Sequence, residues 1–222
     1  MKILIYDCHK SRVQESEKIK KALLRGHPDL EIDIAEVRKF QFPDTENYDA
    51  FIVSGADGHS EKHAWPRLIK EQIAKIIGIG KPVLGVCFGS QILAELYGFE
   101  IITLKKPEIG WVQVKLTDLG KEDQLFKELP TSLPIYQYHI RAVKGGGKVL
   151  AESRNCIQAV KYSDTIYGIQ FHAEESPESG KEYLKTDRKC ENYEEASTLA
   201  PEEYIEWKIY RNFIDIITKT VK

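Results

Sequence analysis

The sequence has no C-x-x-C pair: its four cysteines, Cys8, Cys87, Cys156 and Cys190, stand far apart. That spacing argues against a zinc site and against a redox dithiol, so each thiol is judged alone. Nor is there an apolar run of about 18 residues, the minimum for a membrane-spanning helix. The opening stretch Ile3-Leu4-Ile5-Tyr6 is too short for the core of a signal peptide. A cytoplasmic location with free thiols is the expectation. Neither charge is in excess, since 32 Lys and Arg stand against 34 Asp and Glu, and the resulting −2 favours neither nucleic acid nor an anionic membrane as partner. No G-x-x-x-x-G-K-[ST] loop and no repeat at a fixed period occurs, so no ATP site and no solenoid is expected.

What is present is the composition of an ordinary folded protein: 222 residues, 42% hydrophobic and 30% charged. Apolar, β-rich runs at 2–6, 30–35, 49–54 and 82–86 read as strands. The first two flank a helix at 13–24, the last two a helix opened by Pro66 and ended by Gly78 and Gly80. A further helix is expected at 90–97, stopped by Gly98. Strands alternating with helices in this way imply βαβ crossovers and a parallel sheet covered on both faces, hence an α/β fold of flavodoxin type. After residue 100 the rhythm changes to short β-like runs at 101–104, 111–116, 135–138, 148–151, 157–161 and 165–171, with Gly145-Gly146-Gly147 as a turn. The highly charged stretch 173–201 reads as an exposed insertion, and 202–221 as a final amphipathic helix. A single domain over 1–222 is expected.

The sharpest motif is Gly85-Val86-Cys87-Phe88-Gly89, set between an apolar strand and a helix. A nucleophile elbow requires this context, because small residues two positions either side let the chain turn tightly and hold the nucleophile at a helix N-terminus. There the positive end of the helix stabilises a thiolate, and the Phe88 N–H points to where an oxyanion would form. A nucleophilic cysteine needs a base, and the base an orienting group. His172 follows the strand at 165–171, and Glu174, two residues on, projects to the same side and accepts the imidazole N–H. His9, His59, His63 and His139 read as solvent or loop histidines. His59 and His63 share a helical spacing with Glu61 alone as partner, which is too few groups for a metal. Trp65, Trp111 and Trp207 read as packing residues.

Taken together, Gly85-Val86-Cys87-Phe88-Gly89-Ser90-Gln91 and Gln170-Phe171-His172-Ala173-Glu174 resemble the class I (triad) glutamine amidotransferases. Glu108-Ile109-Gly110-Trp111, Leu129-Pro130 and Tyr136-Gln137-Tyr138-His139 extend the resemblance, in the order seen in amidotransferase domains of the GMP synthase type. The resemblance implies Cys87 as nucleophile, His172 as acid and base, and Glu174 as the orienting carboxylate. It implies a second oxyanion donor at Gly55, and substrate contacts from Gln91 and from main chain near Tyr138 and His139. Glutamine is then the substrate, with no cofactor and no metal, and a separate synthetase subunit is the ammonia acceptor. The alternatives are a γ-glutamyl hydrolase or peptidase acting alone, and a non-catalytic regulatory protein on the same fold. Two positions depart from the family pattern: Ala173 stands where His-Pro-Glu is usual, and Ser54-Gly55-Ala56-Asp57-Gly58 replaces a Gly-Gly-Pro loop. For the charged stretch, which follows directly on Glu174, a lid or partner-docking surface stands beside the solvated-face reading.

Overall fold

A computed structural model describes residues 1–10, 13–57, 63–187 and 189–220. Nine strands form a single sheet in the order β2-β1-β3-β4-β9-β8-β7-β5-β6. Its first half is parallel: β1 (Lys2–Asp7), β2 (Glu31–Glu36), β3 (Ala50–Val53), β4 (Val83–Val86) and β9 (Ile166–Ile169). The second half, β8 (Ile157–Ser163), β7 (Lys148–Glu152), β5 (Glu100–Leu116) and β6 (Ser132–Lys144), is antiparallel.

The inner parallel strands β1, β3, β4 and β9 are apolar on both faces because they are covered on both. Ile3 and Ile5 of β1 enter one core with Ile19 and Leu23 of α1 (Val13–Gly26) and Phe213 and Ile217 of α7 (Lys208–Thr220). Leu4 and Tyr6, alternating with them, enter the other with Ile69 and Ile73 of α2 (Trp65–Gly78) and Ile92 and Leu93 of α3 (Phe88–Leu96). The expected α/β architecture is thus present, with the short β-like runs of the second half extending the same sheet.

Three local expectations are corrected. The runs at 101–104 and 111–116 belong to one strand, whose register shifts between Thr103 and Glu108; the polar Lys105-Lys106-Pro107 interval is a bulge inside it. The last helix starts at Lys208, because Glu202–Trp207 is an irregular segment whose Glu206 side chain turns inward. The charged stretch at 173–201 is packed structure. It holds α5 (Pro177–Thr186) and α6 (Tyr193–Ser197), and Leu184 is buried in a third core with Trp111 and Tyr136, flanked by Tyr183, Tyr193 and Ala196. Leu184, Tyr183, Tyr193 and Ala196 face Trp111 and Tyr136 of β5 and β6, so counting charges hides the one face that matters. Gly145, Gly146 and Gly147 do form the turn between β6 and β7, all three at positive φ. Among the described residues no helix is long and apolar enough to cross a membrane.

Candidate active site

The elbow follows from how closely α3 lies on the sheet. A Cβ on Gly85 would stand 2.4 Å from the Gly89 carbonyl, and one on Gly89 2.3 Å from the Val53 carbonyl oxygen, so both flanking positions must be bare. Between them Cys87 adopts φ 50°, ψ −100°, a conformation that L-residues avoid. Its N–H donates to Ile169 of β9 at 2.7 Å, and its carbonyl accepts from the Gln91 N–H at 3.2 Å. The side chain therefore sits at the N-terminus of α3, with the Phe88 N–H among the donors of that first turn.

The end of the neighbouring strand brings up the other two groups. His172 Nδ1 lies 2.7 Å from Glu174 Oε1, and Tyr210 of α7 donates its hydroxyl to Glu174 Oε2 at 2.6 Å. The His172 backbone N–H donates to the Tyr136 carbonyl at 2.9 Å, and the Tyr136 ring packs edge-on to the imidazole. Ala173, where the resemblance leads one to expect proline, is buried, and its carbonyl accepts the Tyr204 hydroxyl at 2.8 Å. A side chain from the irregular segment before α7 thus fixes this backbone in place of a ring. Burial opposes charge on His172, yet the Glu174 carboxylate and the hydrogen bonds the imidazole makes to Cys87 and Glu174 outweigh it and hold the imidazole well above its ordinary range. Burial likewise opposes the Glu174 carboxylate, but the His172 charge and the His172 and Tyr210 hydrogen bonds bring it below the usual range.

Gly55 lies beside the Cys87–His172 pair. A Cβ there would meet His172 Cε1 at 3.0 Å, Cys87 Cβ at 3.5 Å and His9 Nε2 at 3.6 Å, so the β3 loop closes over the Cys87–His172 pair. Gln91 is buried in the first turns of α3, and its amide nitrogen is shared between the Arg141 carbonyl and Gln170 Oε1, both at 3.2 Å. Beside it a groove opens between α2, α3 and β6, lined by Arg67, Lys70, Phe88, Gln91 and Arg141. Tyr138 packs its ring edge-on against Tyr183 of α5, with its hydroxyl donating to Asp187 at 2.8 Å.

Two histidines depart from the solvent or loop reading. His139 is buried, its Nδ1 2.9 Å from the Arg141 carbonyl and its Nε2 3.1 Å from Glu108. His9 has a side chain only 6% exposed, held through Nδ1 by Asp7 at 2.9 Å, and its Nε2 faces Gly55. Only the parallel pairing of β1 with β3 brings His9 there, so nothing local in the sequence marks it. Tyr210, Tyr204 and Tyr136 are missed for the same reason, each lying more than thirty residues from its partner or on another strand. His63 is exposed at the rim of the groove, whereas His59 and Glu61 lie outside the described residues. Trp65 and Trp111 are buried packing residues as expected.

The family model described as glutamine amidotransferase class-I matches residues 5–189. Among curated proteins, the glutamine-hydrolysing GMP synthase subunit of Methanosphaera stadtmanae is 37% identical over 126 residues, covering 53% of this chain and 66% of that one. Its counterpart of the same description in Pyrococcus abyssi is 36% identical over 110 residues, covering 47% and 57%. The match thus spans less than two thirds of each relative's length. In fold, a glutamine amidotransferase from Thermotoga maritima superposes with a TM-score of 0.81 at 21% identity, covering 99% of this chain and 98% of that one. A protein from Thermoplasma acidophilum described as a GMP synthase subunit gives 0.71 at 19% identity, covering 100% and 96%. With the family match running from β1 through α5 and including the elbow and the His172–Glu174 pair, the chain belongs to the class-I glutamine amidotransferase family.

Proposed function

We propose that this chain, acting as one amidotransferase domain, hydrolyses the side-chain amide of glutamine to glutamate and ammonia, with Cys87, His172 and Glu174 as its catalytic residues. The observation that carries the reading is the His172–Glu174 contact of 2.7 Å beside a cysteine held at positive φ on a helix N-terminus. With the thiol proton already passed to His172 Nε2, Sγ of Cys87 attacks the amide carbon. The negative oxygen is met by donors at Phe88 and in the Gly55 loop. His172 then gives its proton to the leaving nitrogen, ammonia departs, and a γ-glutamyl thioester remains. Water attacks the thioester as His172 accepts its proton, and the return of that proton to Sγ releases glutamate. Glu174 orients the imidazole and stabilises its cation without itself becoming protonated. Gln91 and main chain near Tyr138 and His139 hold the amino-acid end of the substrate.

The names of the curated relatives support a further step, delivery of the ammonia to a separate synthetase subunit. The test is mass spectrometry of intact protein after incubation with a diazo-ketone analogue of glutamine, run beside glutamate release. A single adduct that disappears in Cys87→Ala, with glutamate formed from glutamine, is the expected result. An adduct without turnover assigns catalysis to the complex with a synthetase. Absence of an adduct at Cys87 overturns the reading.

A further inference from the structure

Away from Cys87, three potential metal ligands of different chemistry meet in the antiparallel half of the sheet. Glu108 comes from β5, His139 from β6 and Cys156 from the turn between β7 and β8. Glu108 Oε2 is 3.1 Å from His139 Nε2 and 3.5 Å from Cys156 Sγ, and the three donor atoms lie within 4.8 Å of one another. A tetrahedral zinc-type ion with the usual bond lengths sets its ligands roughly 3.2–3.8 Å apart.

The surroundings orient each group. The Arg141 carbonyl can only accept, so its 2.9 Å contact makes His139 Nδ1 the donor and aims Nε2 at the cluster. Ser153 and Asn155 donate to Glu108 Oε1 at 2.8 and 3.0 Å, which leaves Oε2 facing Nε2 and Sγ. The Gln158 amide nitrogen stands 2.8 Å from Oε2 and 3.4 Å from Sγ. Both side chains of the Glu108–His139 pair are 2% exposed. Gln137 Oε1 also stands 3.1 Å from His139 Nε2. Two amide atoms of the cluster are left over: Gln158 Oε1 and Gln137 Nε2 are buried without a hydrogen-bond partner among the described residues.

We propose that Glu108 Oε2, His139 Nε2 and Cys156 Sγ bind one divalent cation of the zinc class. The Gln158 amide, turned over so that its oxygen faces the ion, supplies the fourth ligand. The mixture of sulfur, nitrogen and oxygen selects a borderline ion over Mg(II) or Ca(II), which take oxygen ligands. A carboxylate and a thiolate together neutralise the ion's charge at a place where Glu108 and His139 are buried and Cys156 is partly buried. The ion would fasten β5, β6 and the β7–β8 turn to one another, and so hold the strand whose Tyr136 carbonyl anchors His172. The ligands come from separate strands, so no short ligand spacing announces them in the sequence.

The test uses chelator-treated Cys87→Ala protein, in which the elbow thiol cannot compete, titrated with Co(II) and then Zn(II). The expected result is a single Co(II) per chain with tetrahedral ligand-field bands and a thiolate-to-cobalt charge-transfer band. Zn(II) should displace it, and the signal should be lost when Cys156→Ser is added. If that double variant does not fold, Zn(II) should instead protect Cys156 from iodoacetamide in the Cys87→Ala protein, with half-buried Cys190 as the unprotected reference, read by peptide mass spectrometry. The proposal is overturned by no uptake, by cobalt bands that lack the thiolate transition or persist without Cys156, or by equal alkylation with and without zinc.

Discussion

Tyr210 shows how much of the site depends on a residue with no motif around it. Its hydroxyl is the donor to Glu174 Oε2, a buried carboxylate oxygen, and it is one of the interactions that keep Glu174 ionised against burial. Removing that donor in Tyr210→Phe leaves the oxygen unpaired, which costs about 1–3 kcal/mol of stability. It also weakens the charge that stabilises the His172 imidazolium. Glutaminase kcat is expected to fall about tenfold, equivalent to ~1.4 kcal/mol, with KM little changed. Urea unfolding and steady-state kinetics check the two halves; unchanged kcat with lowered stability would leave Tyr210 a packing residue only. Glu174→Gln keeps an acceptor for Nδ1 but removes the charge and lets the amide favour the wrong tautomer. A loss on the order of a thousandfold in kcat/KM is expected, measured as glutamate release. At this scale the sequence is legible where the chemistry is local. Cys87, His172 and Glu174 sit within five-residue patterns, and Gly55 ends a recognisable strand. His9 and His139 escape a local reading because an isolated histidine carries no periodic signal, and its burial depends on which strand lies beside it.

The contact between α3 and the sheet is the element on which the elbow rests. Gly85 lies on β4 against the Gly89 carbonyl, so a methyl group there meets backbone rather than a side chain that can move. Gly85→Ala is expected to destabilise the fold by about 3 kcal/mol or more, above the usual overpacking cost because the neighbouring backbone cannot rotate away. It should also lower activity more than stability alone explains, since α3 follows directly on Cys87. Denaturation midpoints, with activity measured well below them, separate the two effects. A second contact explains the Glu108-Ile109-Gly110-Trp111 motif. Gly110, at φ 88°, faces the Ala196 carbonyl of α6 so closely that a Cβ would stand 2.1 Å from it, and Trp111 fills the space over Gly180 of α5. The motif is therefore a docking surface for the charged stretch, and Leu184 is the apolar residue that this stretch buries deepest against it. Leu184→Ala is expected to cost about 2–4 kcal/mol, whereas truncation of a residue in a solvated insertion costs almost nothing. Differential scanning calorimetry of this variant decides between the two readings of the segment.

Across the whole molecule, the parallel half carries the elbow and the loops at the strand ends, and the antiparallel half supplies the backing. The parallel half is legible in the sequence because its inner strands are apolar on both faces and separated by helices with clear breakers. In the antiparallel half, β5 crosses from one environment to another and carries polar residues at its bulge, so hydrophobic runs do not reveal its length. The same divide hides Glu206. The nearby charges of Glu202, Glu203 and Lys208 suggest a solvated helix start, yet the side chain is buried where the last segment returns to the core. Burial raises its carboxyl to about 7, and hydrogen bonds from backbone N–H groups, that of Ile205 at 3.0 Å among them, offset this only in part. A carboxyl raised in the folded state binds its proton more tightly folded than unfolded. The folded chain therefore holds more protons between the ordinary glutamate value near 4.5 and about 7, and stability falls as pH rises through that window. Above it the chain carries a buried carboxylate whose charge costs up to about 3 kcal/mol. Glu206→Gln, with similar shape and no charge, should match the wild type at pH 4 and exceed it by a few kcal/mol at pH 8, while preserving the acceptor for the Ile205 N–H. Urea unfolding of the pair at both pH values measures the difference. A difference that does not change with pH would mean that a counter-charge or solvent already stabilises the Glu206 carboxylate in the folded chain.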